Sequence, residues 1–230
     1  PVSITVLANG CTDRTVDLVR ALAETRPHVR LVDIPLADKA NAWNVYVHEA
    51  LDSVSRAAID THFFVDGDVR IGDGAFPALA SVLARTPTAN AAGGMPATGR
   101  DRAAWSQRMV ERGFLAGNLY ALRGAFVERL RAGRVRMPIG FIGEDWLVSF
   151  LAGTDLSTVP RTGSAPLVVF SPDALFSFRS LSVLAPRDYR TYVRRLWRYA
   201  LRDVQFGMLL NFLRRASIGD MPRHVDDMYR

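Results

Sequence analysis

The period of apolar and polar positions changes repeatedly along the chain, and each change marks an element. Val2 to Leu7 reads Val-Ser-Ile-Thr-Val-Leu, a β-rich run closed by the turn signal Asn9-Gly10, which predicts a strand feeding a loop. From Thr12, a candidate cap, the apolar residues Val16, Val19, Leu22 and Ala23 recur at helical spacing until Pro27 stops them. Val29 to Ile34 predicts a second strand, closed by Pro35. Helical spacing returns from Asp38 to about Ala58 through Ala42, Val45, Ala50, Leu51 and Val54, and Thr61 to Val65 predicts a third strand. Strands alternating with helices imply βαβ units and a parallel sheet covered by helices, whose ligand crevice lies at the carboxyl ends of the strands. Asn9 to Asp13 and Asp66 to Asp68 both fall at such ends.

The second half is less regular. A helix is expected over Asp73 to about Arg85, then a small-residue stretch, Ala89 to Gly94, that reads as a strand passing close to another backbone. A helix at Arg102 to Arg112, an apolar strand at Leu115 to Leu122 and a short helix at Ala125 to Arg131 follow. Met137 to Gly143 is a Pro/Gly loop that leads into a helix opening with Glu144-Asp145. Acidic residues there also have a plain reading as ordinary helix-start charges that suit the dipole. Val159 to Phe178 carries broken strand signals, Arg187 to Arg215 reads as a long basic helix, and the last fifteen residues look loosely ordered.

Composition narrows the class. At 230 residues, 49% hydrophobic and 23% charged, the chain can bury one sizeable core. No apolar run approaches the roughly 18 residues that a membrane span requires. A single cysteine, Cys11, forms no internal disulfide and suits a reducing compartment, so the expected location is cytoplasmic, with a peripheral position at the inner membrane face as the extension. The chain begins with Pro1 rather than Met, so the lack of a leader carries little weight. Net charge is +6, and the segment from Pro186 to Arg215 alone holds eight Arg against Asp188 and Asp203, which is 8 − 2 = +6. Such a local excess points to a local anionic partner, a membrane surface or a diphosphate, rather than to a nucleic acid. Of the 29 basic residues only Lys39 is a lysine, and a compact ammonium serves a tight phosphate site differently from a guanidinium.

Phe63-Phe64-Val65-Asp66-Gly67-Asp68 sets two carboxylates one residue apart just after an apolar strand. Alternate residues at a strand end project to one side, so the pair can share a divalent cation while Gly67 lets a ligand approach the backbone. Hard oxygen ligands suit magnesium or manganese, which bridge phosphate oxygens and neutralise a departing diphosphate. Alone, an Asp-x-Asp is most often a solvated turn. Three further motifs surround it in order: Asn9-Gly10-Cys11-Thr12-Asp13-Arg14-Thr15 after a strand, Lys39-Ala40-Asn41-Ala42-Trp43-Asn44 opening a helix, and Gly143-Glu144-Asp145-Trp146. This succession, over about residues 2 to 150, resembles glycosyltransferase family 2, which has the GT-A fold.

The resemblance implies an α/β, Rossmann-like fold with a mostly parallel sheet and helices on both faces, over a GT-A domain of residues 1–180. Its nucleotide half is 1–70 and its acceptor half 71–180, with 181–230 as a basic C-terminal helical segment. It implies an inverting, hexosyltransferase-type enzyme that uses a UDP- or GDP-sugar donor, Mn2+ or Mg2+, and a carbohydrate or lipid-linked hydroxyl acceptor. Carried over residue by residue, Asn9 and Asp13 lie near the donor's base and ribose, and Lys39 near the base or diphosphate. Asp66 contacts the nucleotide, with Gly67 beside it, and Asp68 holds the metal. Asp145 is the catalytic base, Glu144 positions the acceptor or the loop, and Trp146 lies on the acceptor side. Phe114 to Arg123 resembles the acceptor-side strand, with Gly117 and Asn118 lining the acceptor site, although a plain buried strand reads equally well.

Two features depart from the family pattern. Asn9 stands where an Asp is usual, and an amide still hydrogen-bonds a uracil-like edge without carrying charge. A first strand is also expected before Val2, so the chain is read as beginning one βα unit late. Arg194 to Tyr199 has a weak likeness to an Arg- and Trp-bearing segment that closes over the site in polysaccharide-making relatives. It reads as well as an interfacial helix against anionic lipid, or as packing with a solvated Arg face. His28, His48 and His62 read as surface or packing residues, whereas His224, followed by Asp226 and Asp227, is a distant metal candidate. Two other functions fit the same elements: a nucleotidyltransferase of similar fold, and an inactive, membrane-associated binding module.

Overall fold

The computed structural model describes residues 2–51, 59–159, 165–179 and 186–229. Strand β1 (Ile4–Asn9) and strand β2 (Val29–Ile34) pair in parallel, joined by helix α1 (Thr15–Thr25), as the alternating pattern requires. Thr12 does not cap α1. The residue before its first turn is Arg14, which has no acceptor, so Asp13 Oδ1 takes the Thr15 N–H at 3.0 Å instead. Helix α2 (Lys39–Val45) is capped by Asp38, whose Oδ1 accepts from Asn41 N at 2.6 Å. It does not run on as regular helix: Tyr46–Ala50 is a π turn. Carbonyls freed there find side-chain donors, Val47 O from Arg131 Nη1 and Ala50 O from Arg30 Nη1 at 2.8 Å. The rest of the expected helix, with Val54, lies outside the described residues.

Strands β3 (Thr61–Val65), β4 (Val69–Ile71), β5 (Ala91–Pro96), β6 (Leu119–Arg123) and β7 (Val168–Phe178) form a second sheet in the order β3-β6-β5-β7-β4. β5 and β7 are parallel, and β6 runs antiparallel between β3 and β5. Along β6 the side chains alternate: Tyr120 and Leu122 enter one apolar cluster, Leu119 and Ala121 the other. The second cluster is covered by α3 (Ala75–Arg85) and α4 (Arg102–Arg112) through Leu79, Leu83 and Met109. Helices α5 (Gly124–Ala132) and α6 (Glu144–Gly153) cover the first through Phe126, Leu130, Leu147 and Leu151. Helices thus lie on both faces of an α/β sheet.

Close backbone approach explains the small residues of β5. A Cβ on Gly94 would stand 2.8 Å from Ala174 O and from Leu119 Cδ2. β6 starts later than the apolar run suggests. Leu115 N donates to Ser149 Oγ and Gly117 N to Asp145 Oδ2, so these donors serve α6 side chains, and Gly117-Asn118 form a turn before the strand.

Helix α7 (Pro186–Leu213) matches the expected basic helix. The last residues are not loose. Ile218, Met221 and Val225 are buried beside Leu209 and Leu213, and the backbone pairs Val225 N with Ile139 O at 3.0 Å and Ile139 N with Arg223 O at 2.9 Å. Polar residues interleaved between these anchors hide their pattern in the sequence.

The glycines of the sheet and of the acidic turn answer differently to a methyl group. Gly94→Ala is expected to destabilise by about 1–3 kcal/mol through overpacking. Gly67→Ala, whose Cβ meets no atom within 4 Å, is expected to leave the denaturation midpoint unchanged. Urea unfolding of both variants checks the contrast.

Candidate active site

Three of the four sequence motifs meet at one ammonium group. Lys39, in the first turn of α2, sets its Nζ 2.5 Å from Asp66 Oδ1 and 2.6 Å from Glu144 Oε1. Asp66 follows β3 directly and anchors its own N–H on Asn118 O at 3.2 Å. Glu144 and Asp145 open α6. Gly117 roofs the cluster: a Cβ there would lie 3.2 Å from Lys39 Nζ and 3.4 Å from both Asp145 Oδ2 and Glu144 Oε1. Beneath the cluster, Phe64 of β3 stacks on Tyr120 of β6, with ring centroids 4.8 Å apart.

The loop into α6 is held from below by α2. Asn44, buried, donates through Nδ2 to Met137 O and accepts from Met137 N, both at 2.8 Å. Asp38 uses its second oxygen, Oδ2, to accept from Gly140 N at 2.9 Å. Asp38 is therefore a site residue that motif reading passed over; its only sequence signal was that of a helix cap. Asn44, the last residue of the Lys39 motif, acts as a loop clamp.

Asp145 is held at both oxygens. Oδ2 accepts from Gly117 N at 3.1 Å and Oδ1 from Trp146 N at 2.9 Å, while its carbonyl accepts from Ser149 Oγ at 2.6 Å. Burial, and then the Glu144 carboxylate, push the Asp145 carboxyl up to about 6, against the opposing pull of Lys39 and the two N–H donors. Burial also raises Asp66, with Lys39 pulling it the other way. Burial alone would lower the Lys39 ammonium, but Glu144 and Asp66 outweigh it and hold the group above its ordinary range.

Trp146 stacks on Phe114 with centroids 5.5 Å apart, and the Arg202 guanidinium lies 4.3 Å from its ring centre. Gly143, at φ +94°, is tight against Arg202, whose Cγ and Cδ would lie 2.6 Å from an added Cβ. No sequence signal linked Arg202 to Trp146, because the contact joins α7 to α6. A groove of about 550 Å³ runs beside this stack, lined by Phe114, Trp146, Phe150 and Phe206 among others.

Asn9 ends β1 opposite Ile34, and Gly10 is tight against Ala37, two residues before Lys39. Asn9 makes no side-chain hydrogen bond to the cluster among the described residues, and Asp13 is exposed on its own turn with Thr15. His48 and His62 are packing residues: His48 Nε2 meets Val135 O, and His62 Nδ1 meets Tyr46 Oη. His224 Nδ1 accepts from Asp226 N at 3.2 Å.

A divalent cation fits the acidic turn on chemical grounds. Asp68 is exposed and makes no hydrogen bond or ion pair among the described residues, and Gly67 has open space above it. No group of three or more His, Cys, Asp or Glu that could hold a metal occurs among the described residues. The protein would supply one or two carboxylates and leave the remaining positions to phosphate oxygens and water, an arrangement that magnesium tolerates.

No family model and no curated protein matches the chain. Solved structures do. A crystal structure of GalNAc-T7 with UDP, GalNAc and Mn2+ aligns at TM-score 0.51 and 11% identity, covering 84% of this chain and 42% of that one. Glucosyl-3-phosphoglycerate synthase from Mycobacterium tuberculosis, with Mn2+, UDP and glucosyl-3-phosphoglycerate, aligns at TM-score 0.49 and 19% identity over 82% of this chain and 63% of that one. The chain thus spans less than half the length of the first and under two thirds of the second. At such identity the first likeness establishes the fold, which is the GT-A fold.

Removing the shared cation tests the electrostatics directly. Lys39→Met is expected to raise the Asp145 pKa from about 6 by roughly one unit or more, because an opposite charge at this range is lost. Carboxyl-carbon NMR titration of Asp145 reads the shift; an unchanged midpoint would refute the assigned role of Lys39.

Proposed function

We propose that this chain transfers a sugar from a nucleoside-diphosphate donor to a hydroxyl acceptor with inversion at the anomeric carbon. The observation that carries the proposal is the convergence of Lys39, Asp66 and Glu144 beside an Asp145 carboxyl raised to about 6. A base of that pKa is ionised at neutral pH and still basic enough to accept a proton as the acceptor oxygen attacks.

The residues divide the work. Asp145 takes the acceptor's proton at one carboxylate oxygen while the acceptor oxygen bonds to the anomeric carbon and the carbon–phosphate-oxygen bond breaks. The nucleoside diphosphate leaves with that bonding pair. Glu144 holds the loop and, through Lys39, the acidic turn. Asp66 faces the nucleotide, with Asn9 and Asp13 toward its base and ribose and Gly67 leaving room for the diphosphate. Asp68, with Asp66, would hold Mn2+ or Mg2+, which neutralises charge on a leaving diphosphate. UDP and Mn2+ in the GalNAc-T7 structure named above agree with that choice of donor and metal. Gly117, Asn118 and Trp146, with the aromatic groove beside them, serve a carbohydrate or lipid-linked acceptor.

Calorimetry with Mn2+ and a panel of UDP- and GDP-sugars, followed by transfer assays, tests this reading. Asp145→Asn is expected to retain donor binding and lose about 10²- to 10⁴-fold in turnover, the usual worth of a general base. Asp68→Ala is expected to lose metal-dependent donor binding. Wild-type activity should fall as pH drops through about 6, where Asp145 becomes protonated. Turnover surviving both substitutions would refute the proposal, and pyrophosphate release from a nucleoside triphosphate would replace it with nucleotidyl transfer.

A further inference from the structure

Helix α7 is held at its first turn by Asp188, which is buried and accepts from Arg179 Nη2 at 3.4 Å, and beyond that turn it is anchored along one side only, in its second half. Gln205, Leu209 and Leu213 are buried against the body, one turn apart on a single face. Residues 189–201 are exposed at every position. Between Tyr189 and Val204, Tyr189, Val193, Leu196, Trp197 and Val204 fall on one face, with Trp197 74% exposed and Leu196 52%. Leu196, Ala200 and Val204 each precede a buried residue, Gln205, Leu209 and Leu213, by nine positions, about two and a half helical turns. The apolar face of the projecting half is therefore turned away from the body. Arg190 and Arg194 lie on the flank of that face.

An apolar face lined with Tyr and Trp and flanked by arginine is the pattern of a helix lying in a membrane interface. The helix is too polar to cross a bilayer: among the described residues none is long and apolar enough. Charge selects between the two occupants such a face could take. Across Pro186–Leu213 there are six Arg against Asp188 and Asp203, so a second copy would bring like charge to like charge, whereas an anionic lipid surface is complementary.

We propose that the projecting half of α7 docks flat on an anionic bilayer, with its Tyr, Leu and Trp side chains in the interface and its arginines at the headgroups. The docking rests on the helix alone, independently of the sugar-transfer reading. Its consequence for that reading is positional. Arg202, directly after the projecting stretch, packs on Trp146 and Gly143 next to Asp145, so a docked helix would bring the acceptor side of the site close to the membrane.

Sedimentation of the full chain with vesicles tests the docking. Binding is expected to vesicles of phosphatidylcholine mixed with phosphatidylglycerol, to weaken with salt, and to be far weaker on phosphatidylcholine alone. Arg190→Gln with Arg194→Gln is expected to weaken binding about fivefold per arginine. Leu196→Glu with Trp197→Glu is expected to abolish it. All four side chains are exposed, so circular dichroism and the denaturation midpoint should not change. Equal binding to neutral and anionic vesicles, full binding by the Leu196/Trp197 variant, or a stable dimer that ignores vesicles would each overturn the proposal. Donor calorimetry on the same variants separates the two readings, since a docking failure leaves donor binding intact.

Discussion

The Lys39 ammonium is the constraint on which the geometry of the site depends. Asp66 arrives from the end of β3 and the adjacent Glu144 and Asp145 from the start of α6, and their gathering under Gly117 is opposed by like charge. Two such charges about 4 Å apart repel by ~4 kcal/mol at an effective dielectric near 20. Lys39 reverses the sign of the interaction for two of them by touching both, at 2.5 and 2.6 Å. In a chain whose other basic residues are all arginine, the choice has a physical reason. A compact ammonium on a flexible stem can sit between two carboxylates that approach from different directions, where a planar fork would commit to one.

The carboxylates are then kept in position by buried hydrogen bonds. Asn44 pairs both amide atoms with the Met137 backbone, and Asp38 divides its oxygens between its own helix and Gly140. Loss of Asn44 would leave the buried Met137 N–H and C=O unmatched, which costs about 1–3 kcal/mol and makes the arrangement strongly specified. In the proposed function this rigidity serves Asp145, since a general base acts only within hydrogen-bond reach of the proton it takes. The same α2 that supplies Lys39 thus also holds the loop that supplies Glu144 and Asp145.

Helix α7 joins burial and exposure within one element. Its second half closes the core with Leu209 and Leu213, together with Ile218, Met221 and Val225 from the tail, while its first half carries large apolar side chains in solvent. Arg202 stands at the junction, its guanidinium stacked on Trp146. The helix therefore joins the Trp146 side of the site to a surface that the described residues leave exposed.

Much of this was written in the sequence. Short β-rich runs at Ile4–Asn9, Val29–Ile34 and Thr61–Val65, closed by Gly, Pro or the acidic turn, read as strands and are strands. The acidic turn after β3, the lone lysine at a helix start and the Glu-Asp at another were equally legible as a candidate site, and the structure brings them together at Lys39 Nζ. Tertiary structure decided what period cannot encode. It began β6 only at Leu119 because Ser149 and Asp145 claim the preceding N–H groups, turned α2 into a π turn where Arg30 and Arg131 take its carbonyls, and ordered the tail through three scattered apolar anchors. It also set Arg202 on Trp146 and Asp38 on Gly140. Those contacts join residues tens of positions apart, and local spacing carries no record of which distant donor will meet which acceptor.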